Sequence, residues 1–132
     1  MLDRLSVRIP IAISLGAIAG SLTRYYLTLL LAKQFGTDFP YGTFCINITG
    51  SFAMGVIATI ATERIFNLSP DVQLLVATGF LGSYTTFSTY ELDTFGLLRN
   101  NRILTAALYW IGSTSLGFLG LWSGVWVARL WK

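Results

Sequence analysis

Four stretches of this chain are each long enough and apolar enough to cross a lipid bilayer, and together they use up most of its 132 residues. A spanning helix takes roughly 20 consecutive, mostly apolar residues. The segments at 9–32, 39–62, 72–98 and 103–128 all qualify. The first carries one charge, Arg24, the second and fourth carry none, and the third meets its first acid at Glu91. Backbone in hydrocarbon must satisfy its own hydrogen bonds, which leaves helices or closed barrels. Runs of this length select helices, so the expected fold is an all-α membrane protein, with one four-helix domain over residues 1–132. Charged residues are 11% of the chain, against about 25% in a soluble domain. The links are short: 33–38, 63–71 and 99–102.

The start of the chain admits a second reading. Arg4 and Arg8 precede an apolar run, and Ala17-Ile18-Ala19 resembles a signal-peptidase site. Against it, apolar residues resume at Tyr25–Leu31 and make the segment long enough to span. Orientation follows the Lys/Arg imbalance between loops, and here the imbalance is slight. One membrane face would hold Arg4, Arg8, Arg64, Arg129 and Lys132, and the other Lys33, Arg99 and Arg102, with Arg24 near it. So weak a bias permits insertion both ways and hence an antiparallel homodimer. Gly16/Gly20, Ser51/Gly55 and Gly120/Gly124 are small-residue pairs at the spacing that lets helix backbones approach closely.

The third segment is unlike the others. Between Gly79 and Tyr90 it holds two glycines and five Ser/Thr residues where a plain membrane helix would carry Leu and Val. Glycine weakens a helix, and hydroxyls can satisfy backbone groups freed by a break. Residues 82–86 are therefore expected to be non-helical. Broken helices at membrane depth often build ion sites in transporters, because half-helix ends and unwound carbonyls carry fixed partial charge.

Few other residues could carry chemistry. There is no histidine, and the single cysteine, Cys45, cannot form an internal disulfide. No enzyme is indicated, and the scattered charges, net +3, give no nucleic-acid footprint. Asn47 either makes an interhelical hydrogen bond or aims amide donors at an anion. Arg24 either snorkels to the interface or makes an electropositive vestibule. Tyr109 and Ser113, four apart, share a helix face and could form a hydroxyl track. Phe87 and Tyr90 are core aromatics by default, although ring edges are positive and can favour an anion. Glu91 and Asp93 are two apart, point to different faces and are no catalytic pair.

Residues 42–52, Gly-Thr-Phe-Cys-Ile-Asn-Ile-Thr-Gly-Ser-Phe, and 79–90, Gly-Phe-Leu-Gly-Ser-Tyr-Thr-Thr-Phe-Ser-Thr-Tyr, closely resemble the Fluc (CrcB) fluoride channels of bacteria. The resemblance implies a multi-pass protein of the bacterial inner membrane, four helices per subunit with the third broken. It implies an antiparallel dual-topology homodimer that lets fluoride leave the cytoplasm passively. It also implies a structural Na⁺ on the dimer axis, held by the backbone carbonyls of Gly82 and Thr85. Asn47 and Phe87 match pore residues, Tyr109 with Ser113 matches a polar track, and Arg24 matches a vestibule arginine. The family's second pore phenylalanine is Tyr90 here. The next track position falls on Gly117, which has no hydroxyl, so that part of the track is either missing or supplied by Ser115 or a neighbour. Two other classes stay open: a small dual-topology multidrug exporter, which needs a membrane-embedded glutamate the first segment lacks, and a structural membrane subunit, which the polar third segment disfavours.

Overall fold

Apolar runs bounded by short polar links form helices, and the computed structural model of the protein is all-helical over the residues it describes, 2–132, with side chains from Val7 onward. Arg4 lies outside the side chains described. Helix α1 spans Leu2–Phe35 and α2 Tyr41–Thr62. Helix α3 covers residues 70–84, α4 spans Phe87–Arg99, and α5 spans Ile103–Arg129. Three helices, Val7–Phe35 of α1, Tyr41–Thr62 and Ile103–Arg129, are long and apolar enough to cross a membrane. The third segment is divided between α3 and α4. Helix α1 runs unbroken past Ala19 to Phe35. It stops at Gly36, whose φ of +83° is the left-handed turn that glycine reaches without strain. Ser69 caps α3 by accepting from the Val72 N–H, with Pro70 at the first helical position.

The packing is inside-out relative to a soluble protein. The most apolar windows of the three long helices are only 11%, 28% and 17% buried, and their outer faces expose Leu22, Leu29, Leu108, Phe118 and Trp122. Such a continuous apolar surface belongs in lipid. Inside, the small residues set the contacts. A Cβ on Gly124 would run into the Phe52 carbonyl, one on Gly55 into the Leu121 carbonyl, and one on Gly120 would sit 3.1 Å from the Ile48 carbonyl oxygen. The Ser51/Gly55 and Gly120/Gly124 stretches thus join α2 to α5. Gly16 and Gly20 do the same for α1 and α3, meeting the backbone of Leu75 and Phe80. The α3 turns they pack against, Leu74–Leu81, are π-helical.

Polar links gather at two ends. At one, Arg8 pairs with Asp71 at 2.9 Å, and Glu63 holds both Arg129 (2.7 Å) and Lys132 (3.2 Å). At the other, Arg102 donates to the Asp38 carbonyl. The hydrogen bond from Arg129, seconded by Lys132, keeps the Glu63 carboxyl below the ordinary carboxylate range. A depressed carboxyl contributes stability that is present above its unfolded value and lost as pH falls through the folded one. Hydrogen exchange at residues 127–132, corrected for intrinsic rate, should therefore be flat between about pH 7 and pH 5, above the ordinary glutamate value, and rise in stronger acid. A rise already near pH 6 would mean that Glu63 does not tether the C-terminus.

Candidate functional site

The break is narrower than the glycines suggest. Gly82, Ser83 and Tyr84 remain helical, and only Thr85 (φ −82°, ψ 158°) and Thr86 (φ −151°, ψ 120°) are extended. The expected non-helical stretch at 82–86 is thus corrected to residues 85–86. Two adjacent β-branched residues favour extended backbone, and Thr86 then restarts the chain as the cap of α4, its hydroxyl accepting from the Thr89 N–H at 3.2 Å. The glycines serve close approach instead.

Asn47 holds the break open. Its Nδ2 donates to the Thr86 carbonyl at 2.9 Å, and its Oδ1 accepts from the Thr86 N–H at 2.8 Å. The interhelical role is therefore realised, and it consumes one of the two amide hydrogens, leaving the other for the cavity beside it. These bonds have a consequence for the flanking carbonyls. In a continuous helix the Thr86 N–H would close onto Gly82, and the Thr89 N–H onto Thr85. Both donors are diverted, to Asn47 and to the Thr86 hydroxyl. The carbonyls so deprived are those of Gly82 and Thr85. Gly82 is also exposed, and a Cβ there would meet only the Ala77 carbonyl oxygen, at 3.8 Å. Carbonyl oxygens released from a helix suit a hard, oxygen-loving cation, so the residues present fit a sodium ion.

Two cavities flank Phe87, of about 280 and about 370 Å³, and both are lined by Asn47, Ser51 and Leu121. The larger one adds Tyr90, Ser113, Thr114 and Gly117. Phe87 is 75% exposed, so this site opens onto the flank of the subunit. Tyr90 is buried, with its hydroxyl donating to the Trp110 carbonyl at 2.8 Å and lying 3.1 Å from Thr114 Oγ1. Its ring is thereby fixed at the wall. The Ser113 hydroxyl is buried against this cavity and has no hydrogen-bond partner, a circumstance that calls for a cause in a native fold.

Tyr109 is not brought into the cavity. It is fully buried one turn away, packs on the Tyr90 ring at 5.4 Å, and donates to Asp93 Oδ2 at 3.2 Å. Glu91 separately accepts from the Trp110 indole at 3.4 Å. Arg24 lines another groove of about 370 Å³, among Ser21, Thr28, Thr43, Thr86 and Thr89. Thr86 therefore has Arg24 on one side and Asn47 on the other.

Sequence reasoning missed Ser51. Ser115 is exposed and does not line the cavity, whereas the Ser51 hydroxyl lies 3.7 Å from where a Gly117 Cβ would sit. The hydroxyl that Gly117 lacks is thus offered from α2. The signal was available, because Ser51 is four residues beyond Asn47 and so on the same helix face.

An all-helical, apolar-coated bundle with amide and hydroxyl groups gathered at a helix break defines a membrane-spanning protein whose site is polar yet uncharged. The comparisons narrow the class. The profile of the family described as CrcB-like protein, Camphor Resistance (CrcB), matches residues 11–125, and the chain belongs to that family. It is 55% identical over 130 residues, 98% of this chain and 95% of the relative, to a protein of Trichormus variabilis named fluoride-specific ion channel FluC. Relatives of the same name from Synechococcus sp. and Synechocystis sp. are 54% and 50% identical, over 96% and 94% of this chain and 97% and 95% of theirs.

Proposed function

We propose that this chain is a subunit of a fluoride-selective ion channel, not an enzyme, that lets cytoplasmic fluoride leave passively across the bacterial inner membrane. The observation that carries this is the identity of half or more, over nearly the whole of both chains, to proteins named for that activity. The chemistry of the site agrees. Fluoride is small and strongly hydrated, so a selective path must replace its water with donors yet let it go. A full positive charge in a dry cavity would trap the ion. Around Phe87 the protein instead offers the second Asn47 amide hydrogen, the unpartnered Ser113 hydroxyl, the Ser51 hydroxyl and positive ring edges. Arg24 stands apart, where it raises local anion concentration without sitting in the path.

The same reading includes four membrane crossings, with α3 and α4 as one interrupted crossing, and an antiparallel dual-topology homodimer. A site whose central ring is 75% exposed would leave a bound anion facing lipid. A second subunit closing that flank supports the dimer. Sodium, held by the carbonyls of Gly82 and Thr85 from both subunits, would serve as fixed positive charge on the axis rather than as cargo.

Flux from purified channels in vesicles tests the reading. Phe87→Leu keeps bulk and removes the positive ring edge that favours an anion. It should slow fluoride several-fold, an effect larger than its cost to the melting temperature, since leucine keeps most of the bulk at that position. Phe66→Leu, in the link beside Trp131, should leave flux unchanged. Equal rates for both variants would remove Phe87 from the path, and chloride or a cationic drug passing as fast as fluoride would overturn the function.

A further inference from the structure

We propose that the chain end bearing Glu63, Arg129 and Lys132 is a binding site for the headgroup of an anionic phospholipid. The proposal rests on the membrane reading but not on the ion carried. Among the described residues this end holds Arg8, Arg64, Arg129 and Lys132 against Glu63 and Asp71, a net +2. The opposite end carries less, with Lys33, Arg99 and Arg102, and Arg24 near it, against Asp38, Glu91 and Asp93, a net +1.

The excess is organised as well as present. Glu63 Oε1 takes both Nε and Nη2 of Arg129, at 2.8 and 2.7 Å, and Oε2 takes Lys132 Nζ at 3.2 Å. One carboxylate thus positions two long cationic side chains next to each other and neutralises only one. Arg129 keeps Nη1 and Lys132 keeps two hydrogens for a further acceptor. Their side chains are 57% and 64% exposed, so an incoming phosphodiester can reach them. Arg64, next to Glu63 in the chain, is exposed with its backbone in the left-handed region at φ 51°.

The surroundings select a lipid over free phosphate. The exposed rings of Phe66 and Trp131 pair at 6.3 Å beside the cations, and Trp126 and Trp122 face outward about one and two turns back from Arg129 along α5. Tryptophan is the residue of the membrane–water interface. Basic side chains with Trp131 beside them, and further indoles deeper along α5, match a headgroup with its acyl chains running down that helix, and cations at the interface attract an anionic headgroup.

Native mass spectrometry of the protein in mild detergent, with phosphatidylglycerol and phosphatidylcholine in equal amounts, tests this. The unmodified protein should retain phosphatidylglycerol several-fold over phosphatidylcholine. Arg129→Gln with Lys132→Gln should abolish the preference, and Arg99→Gln at the other end should leave it intact. Should the double variant not fold, Arg64→Gln with Lys132→Gln, both at exposed positions, should lower the preference at least twofold. Inorganic phosphate at millimolar concentration should not displace the lipid. Equal retention of the two lipids, an unchanged preference in either double variant, or displacement by phosphate would overturn the proposal. Flux plays no part in the readout, so failure here and failure of the channel reading are distinguishable.

Discussion

Vesicles carrying Asn47→Asp should pass fluoride at less than about a tenth of the unmodified rate, the effect of roughly 1.4 kcal/mol on a barrier. The change is isosteric, and Oδ1 can still accept from the Thr86 N–H. The other position, however, becomes an oxygen facing the Thr86 carbonyl, 2.9 Å from where Nδ2 now donates. One hydrogen bond turns into a repulsion, and leaving a buried acceptor unpaired costs about 1–3 kcal/mol. The same substitution puts a carboxylate on the wall of both cavities beside Phe87, where a like charge raises the energy of an anion. Asn47→Ala removes both bonds without adding charge, so it should slow flux less and lower the melting temperature through the loosened break. If both variants conduct like the unmodified protein, Asn47 neither sets the break nor lines the path. If alanine proves worse than aspartate, the clamp on Thr86 matters and the charge of the cavity does not.

The contrast between Asn47 and the glycines shows what the sequence made legible. The long helices were readable because bilayer length and hydropathy constrain them directly, and the crowding of hydroxyls and glycines marked where the third segment departs from a helix. The cause of the break was misread. Glycine propensity pointed to residues 82–86, but Gly82 keeps φ −63° and ψ −30°, and the extended pair is Thr85-Thr86. What decides this is tertiary: Asn47, 39 residues away, captures both backbone groups of Thr86. No local pattern encodes that bond. The π-helical turns at Leu74–Leu81 were likewise invisible, since an apolar run reads alike in either helical period. Tyr109 and Ser113 are four apart on α5, yet the serine reaches the cavity and the tyrosine is sealed behind Tyr90. Shared face is a property of sequence, and depth is a property of packing.

That division between local and tertiary causes gives Gly16→Ala a sign that settles which one governs α1. Helix propensity alone favours alanine over glycine by about 0.8–1.0 kcal/mol, so the variant should melt higher if Gly16 were merely a lipid-facing helical residue. In the fold, a Cβ at Gly16 would drive into the Leu75 carbonyl oxygen and stand 2.8 Å from Phe80 N and 3.0 Å from Gly79 Cα. All three are backbone atoms, which cannot rotate aside, so α1 and α3 must separate. Overpacking of this kind costs about 1–3 kcal/mol, which exceeds the propensity gain. The separation would also pull the Ala17 carbonyl from Ser83 Oγ, now 3.0 Å away and one of the ties between α1 and the turn leading into the break. Gly16→Ala should therefore lower the melting temperature in detergent and depress flux with it. Gly96→Ala provides the counterpart, because nothing lies within 4 Å of a Cβ there, and it should melt at or above the unmodified temperature. A Gly16→Ala protein that melts higher, as Gly96→Ala should, would mean that the backbones of α1 and α3 are not in contact at this crossing.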